Sequence, residues 1–97
     1  MNRQDCIQLL AACSDTLRTE YGITSLRLFG SIARNEQQDS SDIDVFVETT
    51  TPNPFLLLDA KEFLEKKSGK QVDIIHNHKN INPRLKSRID RDGIAIF

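Results

Sequence analysis

Asp42 and Asp44 stand one residue apart at the head of the apolar run Ile43-Asp44-Val45-Phe46-Val47, and ten residues separate them from the pair Gly30-Ser31. A third acid, Asp73, interrupts a second apolar run, Gln71-Val72-Asp73-Ile74-Ile75. Both runs are short, rich in β-branched residues and bounded by polar stretches, which predicts strands. Side chains alternate along a strand, so Asp42 and Asp44 share one face while Ile43 and Val45 take the other. A carboxylate in a core strand is costly unless it is paired or ligates a cation. Two of them on one face repel, and a shared Mg²⁺ relieves both, because this hard ion takes carboxylates together with substrate phosphates. If the second strand lies beside the first, Asp73 completes a three-carboxylate cluster able to hold two ions. Asp42 and Asp44 then bridge both metals, and Asp73 serves as general base or second-ion ligand. The chemistry these residues suit is phosphoryl transfer from a nucleoside triphosphate.

The phosphates need their own site. Ser25-Leu26-Arg27-Leu28-Phe29 reads as a strand that ends at Gly30-Ser31 and passes into Ile32-Ala33-Arg34, residues compatible with a helix. Such a joint presents unpaired backbone N–H groups at a positive dipole end. Gly30 permits close backbone approach, and Ser31 adds a hydroxyl donor. Arg34, one turn on, either faces the same phosphates with its fork of donors or is a solvated helix arginine. Taken singly, Asp-x-Asp is often a loop or solvated edge, Gly-Ser a turn, and Asp73 a salt-bridged strand acid. Their spacing and apolar flanks together favour the catalytic reading. Asp39, in Gln37-Gln38-Asp39-Ser40-Ser41, reads as plain loop polarity.

Other elements must carry these groups. Apolar positions Ile7, Leu10, Ala11, Ser14 and Leu17 predict one helix from about Asn2 to Glu20, stopped by Gly22. Pro52-Asn53-Pro54 punctuates the chain. Asn53 suits an N-cap and Pro54 the first helical position of a helix running to about Lys67. Its inward stripe is Leu56, Leu57, Ala60, Phe63 and Leu64. Phe55 and Leu58 fall off the stripe. Either Phe55 packs against the incoming loop and Leu58 is an ordinary exposed leucine, or the two form a small contact for a partner. Asn82-Pro83 repeats the cap signature and opens a helix to about Asp92. In it Leu85 and Ile89 face inward while Arg84, Arg88 and Arg91 share the other side, as a solvated basic face or a docking or phosphate-approach surface. Gly93 ends it and Ile94-Ala95-Ile96-Phe97 reads as a last strand. His76 and His78 alternate past a strand end, and with no further ligand nearby they read as polar loop residues. The expected fold is α/β (α+β): a small mixed four-stranded sheet with helices packed on it.

The pattern Gly-Ser-x10-Asp-x-Asp with a third Asp downstream resembles the polymerase β-like nucleotidyltransferase superfamily, and the shortness of the chain is similar to its minimal members, the MNT or MntA-type proteins. The likeness runs from about Leu17 to Phe97. It is strongest at Leu28-Phe29-Gly30-Ser31-Ile32-Ala33-Arg34 and Ser41-Asp42-Ile43-Asp44-Val45, and the ending Ile89 to Phe97 is also similar. The resemblance implies that Gly30 and Ser31 hold the triphosphate, Asp42 and Asp44 the metals, and that Asp73 completes the triad. It further implies an antitoxin that joins a HEPN-type toxin and transfers AMP from ATP to a tyrosine of that partner. One position departs: many relatives have Gly where this chain has Asn35, a residue that tolerates the left-handed conformation better than most. A partner silenced by docking alone is a second reading, and transfer to a small molecule such as an aminoglycoside a third.

Ninety-seven residues make one domain, residues 1–97, with a modest core and no room for a second substrate-binding lobe. The acceptor surface must come from a partner, a second copy or the acceptor itself. With 13 basic and 14 acidic residues the net charge is −1. This lacks the basic excess that supports tight phosphate-backbone binding and argues against a nucleic-acid polymerase. No apolar run is long enough to span a membrane, and Met1-Asn2-Arg3-Gln4-Asp5 lacks the pattern of a signal peptide, so the expected compartment is the cytoplasm. Cys6 and Cys13 lie two helical turns apart, too far for a disulfide, and read as thiols packed in the core.

Overall fold

A computed structural model describes residues 1–97. Helix α1 (Arg3–Ala12) opens on a capping box. The Asn2 side chain accepts from the Asp5 N–H at 2.8 Å, and the Asp5 carboxylate accepts from the Asn2 N–H at 3.2 Å. The single helix expected from Asn2 to Glu20 is in fact two, since α1 breaks at Cys13 and α2 (Ser14–Tyr21) restarts. The Cys13 N–H is shared between the carbonyls of Leu9 and Leu10, both at 3.2 Å. The buried stripe is Cys6, Leu10, Cys13 and Leu17, with Ala11 exposed. Both thiols are free and buried, and burial pushes Cys6 up to about 11.

Gly22 closes α2 and leads into β1 (Ile23–Phe29), a four-residue helix α3 (Gly30–Ala33) and β2 (Ile43–Thr49). Helix α4 (Pro54–Ser68) follows, capped by Asn53, which accepts from the N–H groups of Phe55 and Leu56 at 3.0 and 3.3 Å. Then come β3 (Val72–His76), α5 (Pro83–Asp92), capped in the same way by Asn82, and the short β4 (Ile94–Ala95). Pairing persists past β4, where the Ile96 N–H donates to the Leu26 carbonyl at 2.9 Å.

The strand order is β3-β2-β1-β4. β1 is antiparallel to both β2 and β4, whereas β2 and β3 are parallel, joined by the crossover helix α4. The sheet is therefore mixed, as the sequence suggests. Alternation divides its two faces. Leu26 and Leu28 of β1, Ile43, Val45 and Val47 of β2 and Val72 of β3 point to one side. There they pack with Cys6, Leu10, Leu17, Ala60 and Leu64 in the main core beneath α1, α2 and α4. Burying about a dozen such side chains, at roughly 1.5–3 kcal/mol each, supplies the driving force of the fold. Arg27, Asp44, Phe46, Asp73 and Ile75 point the other way. Helix α5 covers part of this second face: Ile89 and Phe46 are fully buried, and the Arg27 guanidinium and Lys86 ammonium sit 5.4 and 5.7 Å from the Phe46 ring. The remainder of that face is open.

Phe55 is 78% exposed and Leu58 52%, so Phe55 does not pack against the incoming loop. His76 ends β3 with its Nε2 3.1 Å from the Thr49 hydroxyl, and His78 accepts from the Asn80 N–H, polar roles for both. No helix is long and apolar enough to cross a membrane.

Candidate active site

The open face carries the acids at the edge where the end of β1 meets the beginnings of β2 and β3. Phe29 lies opposite Asp44, and Asp44 lies in register with Asp73 on the neighbouring parallel strand. Register partners point to the same face, so these two carboxylates are brought together by strand pairing. Asp44 is half-buried and Asp73 exposed. The Asp44 carboxyl is pushed up to about 6 from its ordinary 3.8, first by loss of solvent, then by the negative charges of Asp73 and Asp42, with Asp73 also within hydrogen-bonding reach. Arg34 pulls the other way, and weakly.

Asp42 lies just before β2, half-buried at the end of the loop from Asn35. It lines a polar cleft of about 320 Å³ with Ser40, Ser41, Lys70 and Gln71. That loop is anchored to the turn between α4 and β3. The Lys70 ammonium donates to the Asp39 carbonyl at 2.8 Å, and the Ile43 N–H donates to the Gln71 carbonyl at 2.9 Å.

The Gly-Ser turn explains its own composition. Gly30 has φ +78°, and a Cβ placed there would run into the Asp44 carboxylate. The position therefore requires glycine twice over, for its backbone conformation and because the acid occupies the space a side chain would take. This contact is the physical link between two motifs that are distant in sequence. The first-turn N–H groups of α3 have no partner one helical turn earlier. The turn closes behind them through the Arg34 N–H to Gly30 carbonyl bond at 3.2 Å and the Glu36 N–H to Ser31 carbonyl bond at 2.9 Å. Asn35 takes φ +60°, the left-handed conformation anticipated where relatives carry glycine.

Ser31 and Arg34 both meet groups that the sequence did not single out. The Ser31 hydroxyl donates to the Ser41 hydroxyl at 3.3 Å, and Ser41 in turn accepts from the Gln38 N–H at 2.8 Å. Arg34 is tethered rather than free, with Nε 3.1 Å from Glu36 and Nη1 3.9 Å from Asp92 of α5. It stands at the rim of the site, steered by two acids. Glu36 is visible at i+2, but the pairing with Asp92 depends on where α5 lands and leaves no local signal.

The donor set suits a hard divalent cation. It consists of carboxylate oxygens, and the crowding that raises Asp44 is what a cation bound beside it would remove. No three Asp, Glu, His or Cys side chains are gathered so as to cage a metal on their own. Mg²⁺ does not require such a cage, because one or two carboxylates complete its shell together with phosphates and water. Asp44 with Asp73 fit that mode, with Asp42 near enough for its charge to act on Asp44.

The signature of the polymerase beta nucleotidyltransferase family matches residues 12–97. A candidate protein adenylyltransferase of Methanocaldococcus jannaschii is 37% identical over 92 residues, covering 92% of each chain. The protein adenylyltransferase MntA of Thermococcus cleftensis is 31% identical over 68 residues, 69% of each. Among solved structures, a candidate minimal nucleotidyltransferase superposes with a TM-score of 0.78 at 27% identity, over 97% of this chain and 95% of that one. The complex of a tri-AMPylated Shewanella oneidensis HEPN toxin with an MNT antitoxin shares the fold, with a TM-score of 0.67 at 18% identity over 94% of this chain and 71% of that one. This chain belongs to the polymerase beta nucleotidyltransferase family, among its minimal members.

Proposed function

We propose that the chain is an antitoxin that transfers AMP from ATP to a tyrosine hydroxyl of a HEPN-type toxin, with which it forms a hetero-oligomer. The observation that carries this reading is the pairing of Asp44 with Asp73 on the open sheet face, directly against the Gly30 turn. The nature of the acceptor is supported by relatives named as protein adenylyltransferases and by the solved complex in which an MNT antitoxin accompanies an AMPylated HEPN toxin.

Each residue then has a task. The backbone N–H groups of the Gly30-Ser31 turn and the Ser31 hydroxyl bind the triphosphate, and Arg34 approaches it from the rim. Asp42, Asp44 and Asp73 hold Mg²⁺, which supplies neutralisation of phosphate charge. Asp73, the exposed member, accepts the proton of the incoming hydroxyl. The acceptor oxygen forms a bond to the α-phosphorus, the α–β anhydride bond breaks, and pyrophosphate leaves. Little covalent work falls to the protein, so positioning and charge neutralisation carry the rate. In this reading the toxin's own surface completes the acceptor side of the site.

The test is intact-mass analysis of a HEPN-type partner protein after incubation with this chain, ATP and Mg²⁺. A mass gain of one or more AMP units, mapped to tyrosine by peptide sequencing, is the expected result. An unmodified partner that is nevertheless silenced in a tight complex would replace this reading with neutralisation by docking.

A further inference from the structure

Helix α5 places Arg84, Arg88 and Arg91 at i, i+4 and i+7, along one side. With Pro83 and Ser87 they line a shallow concavity of about 350 Å³. All three arginines are exposed. The acids of the same helix are already engaged: Asp90 pairs with Arg27 at 3.0 Å and with Lys86 at 2.7 Å, while Asp92 pairs with Arg91 at 3.1 Å and with Arg34 at 3.9 Å. Arg84 and Arg88 have no carboxylate within 4.0 Å. A chain of net charge −1 thus concentrates uncompensated guanidinium charge on one helix face.

The location matters as much as the charge. Helix α5 covers part of the sheet face that carries Asp44 and Asp73, and the Arg34–Asp92 contact joins it to the Gly30 turn. Arg91 shares Asp92 with Arg34, so the C-terminal end of this face lies next to the Gly30 turn. We propose that the Arg84–Arg88–Arg91 face of α5 is the docking surface for an acidic patch on the protein that accepts the nucleotide. This rests on the reading of the acceptor as a protein. Guanidinium forks match carboxylates bidentately. The concavity has no aromatic ring on which a base could stack, and the whole chain lacks the basic excess of a nucleic-acid binder. The phosphate-binding turn belongs to a different element, and the arginines line the outer side of α5, opposite Ile89.

The experiment compares wild type, Arg84→Glu/Arg88→Glu and, as a charge-matched control on the helix-covered side, Lys66→Glu/Lys67→Glu. It uses a HEPN-type partner protein as acceptor, titrating acceptor and ATP separately at two salt concentrations. The expected result is an acceptor KM raised roughly tenfold or more at low salt, with kcat and the ATP KM unchanged and the control near wild type. The gap should narrow as salt rises. An unchanged acceptor KM overturns the proposal. So does a raised ATP KM, which would make the face a phosphate approach, or loss of binding to a single-stranded RNA probe with protein labelling intact. Failure of wild type to label the partner at all is a distinct outcome that removes the protein acceptor itself, and the docking surface with it.

Discussion

Replacing Asp44 with Asn should abolish transfer and yet stabilise the metal-free fold at neutral pH. The side chains are nearly isosteric, and what changes is charge. In the folded chain the Asp44 carboxyl is raised from 3.8 to about 6, by burial first and by Asp73 and Asp42 next. The folded state therefore holds this proton more tightly than the unfolded chain does. Stability falls as pH rises through the window from 3.8 to about 6, and the cost is complete above it. Unscreened, a change of that size corresponds to ~3 kcal/mol. Asp44 is only half-buried, and allowing for solvent screening leaves about 1 kcal/mol. For a domain of this size that is roughly a 4–8 °C rise in Tm at pH 7.5. At pH 4, where the wild-type carboxyl is protonated in the fold but partly ionised in the unfolded chain, the gap should shrink to less than half its value at pH 7.5. The assay is thermal unfolding in chelator across pH 4–8, run beside nucleotide transfer. Adding Mg²⁺ with a non-hydrolysable ATP analogue should stabilise wild type and not the variant, because only wild type gains a ligand in the folded state. A variant less stable than wild type at pH 7.5, or one whose advantage is the same at pH 4, would refute the reasoning.

Asp73→Asn should lower kcat by about 10²–10⁴-fold if this residue takes the proton, with Tm at or slightly above wild type, since Asp73 is itself exposed and its loss relieves part of the repulsion on Asp44; transfer kinetics and a melt decide it. Gly30→Ala should cost about 1–2 kcal/mol from the left-handed backbone alone, more as the Asp44 carboxylate is displaced, and should abolish transfer; urea unfolding reads the first and labelling the second. Asn35→Gly should be neutral to within a few tenths of a kcal/mol while Asn35→Val loses about 1–2 kcal/mol, a contrast that chemical denaturation resolves. Asn82→Ala should cost about 1 kcal/mol through the N-cap of α5, read by urea unfolding, with hydrogen exchange at Arg84 and Leu85 rising ahead of the sheet.

What was legible in the sequence divides by range. The helix starts at Asn53-Pro54 and Asn82-Pro83 and the stops at Gly22 and Gly93 follow from local chemistry, and all appear where the residues place them. The orientation of Asp44 against Val45 follows from strand alternation and needs no partner. That Asp44 faces Asp73 depends on a parallel pairing made only after α4 has crossed over, which the sequence allowed but did not dictate. The break at Cys13 has no proline or glycine to mark it. The reason Gly30 must be glycine is equally non-local, since the obstacle to a side chain is Asp44. Arg34 shows the limit most plainly: its own residue type suggests a phosphate ligand, while its tether to Asp92 exists only because α5 packs beside α3.

Asp42, Asp44 and Asp73 are proposed to move a nucleotide onto a partner protein. The most direct test of that transfer follows label from ATP radiolabelled in the α-phosphate, with Mg²⁺, to a HEPN-type partner protein, comparing wild type with Asp42→Asn/Asp44→Asn. Wild type should label the partner and the variant should not, although the variant still folds and still binds the partner protein. Equal labelling by both proteins would contradict it, as would a partner left unlabelled by wild type.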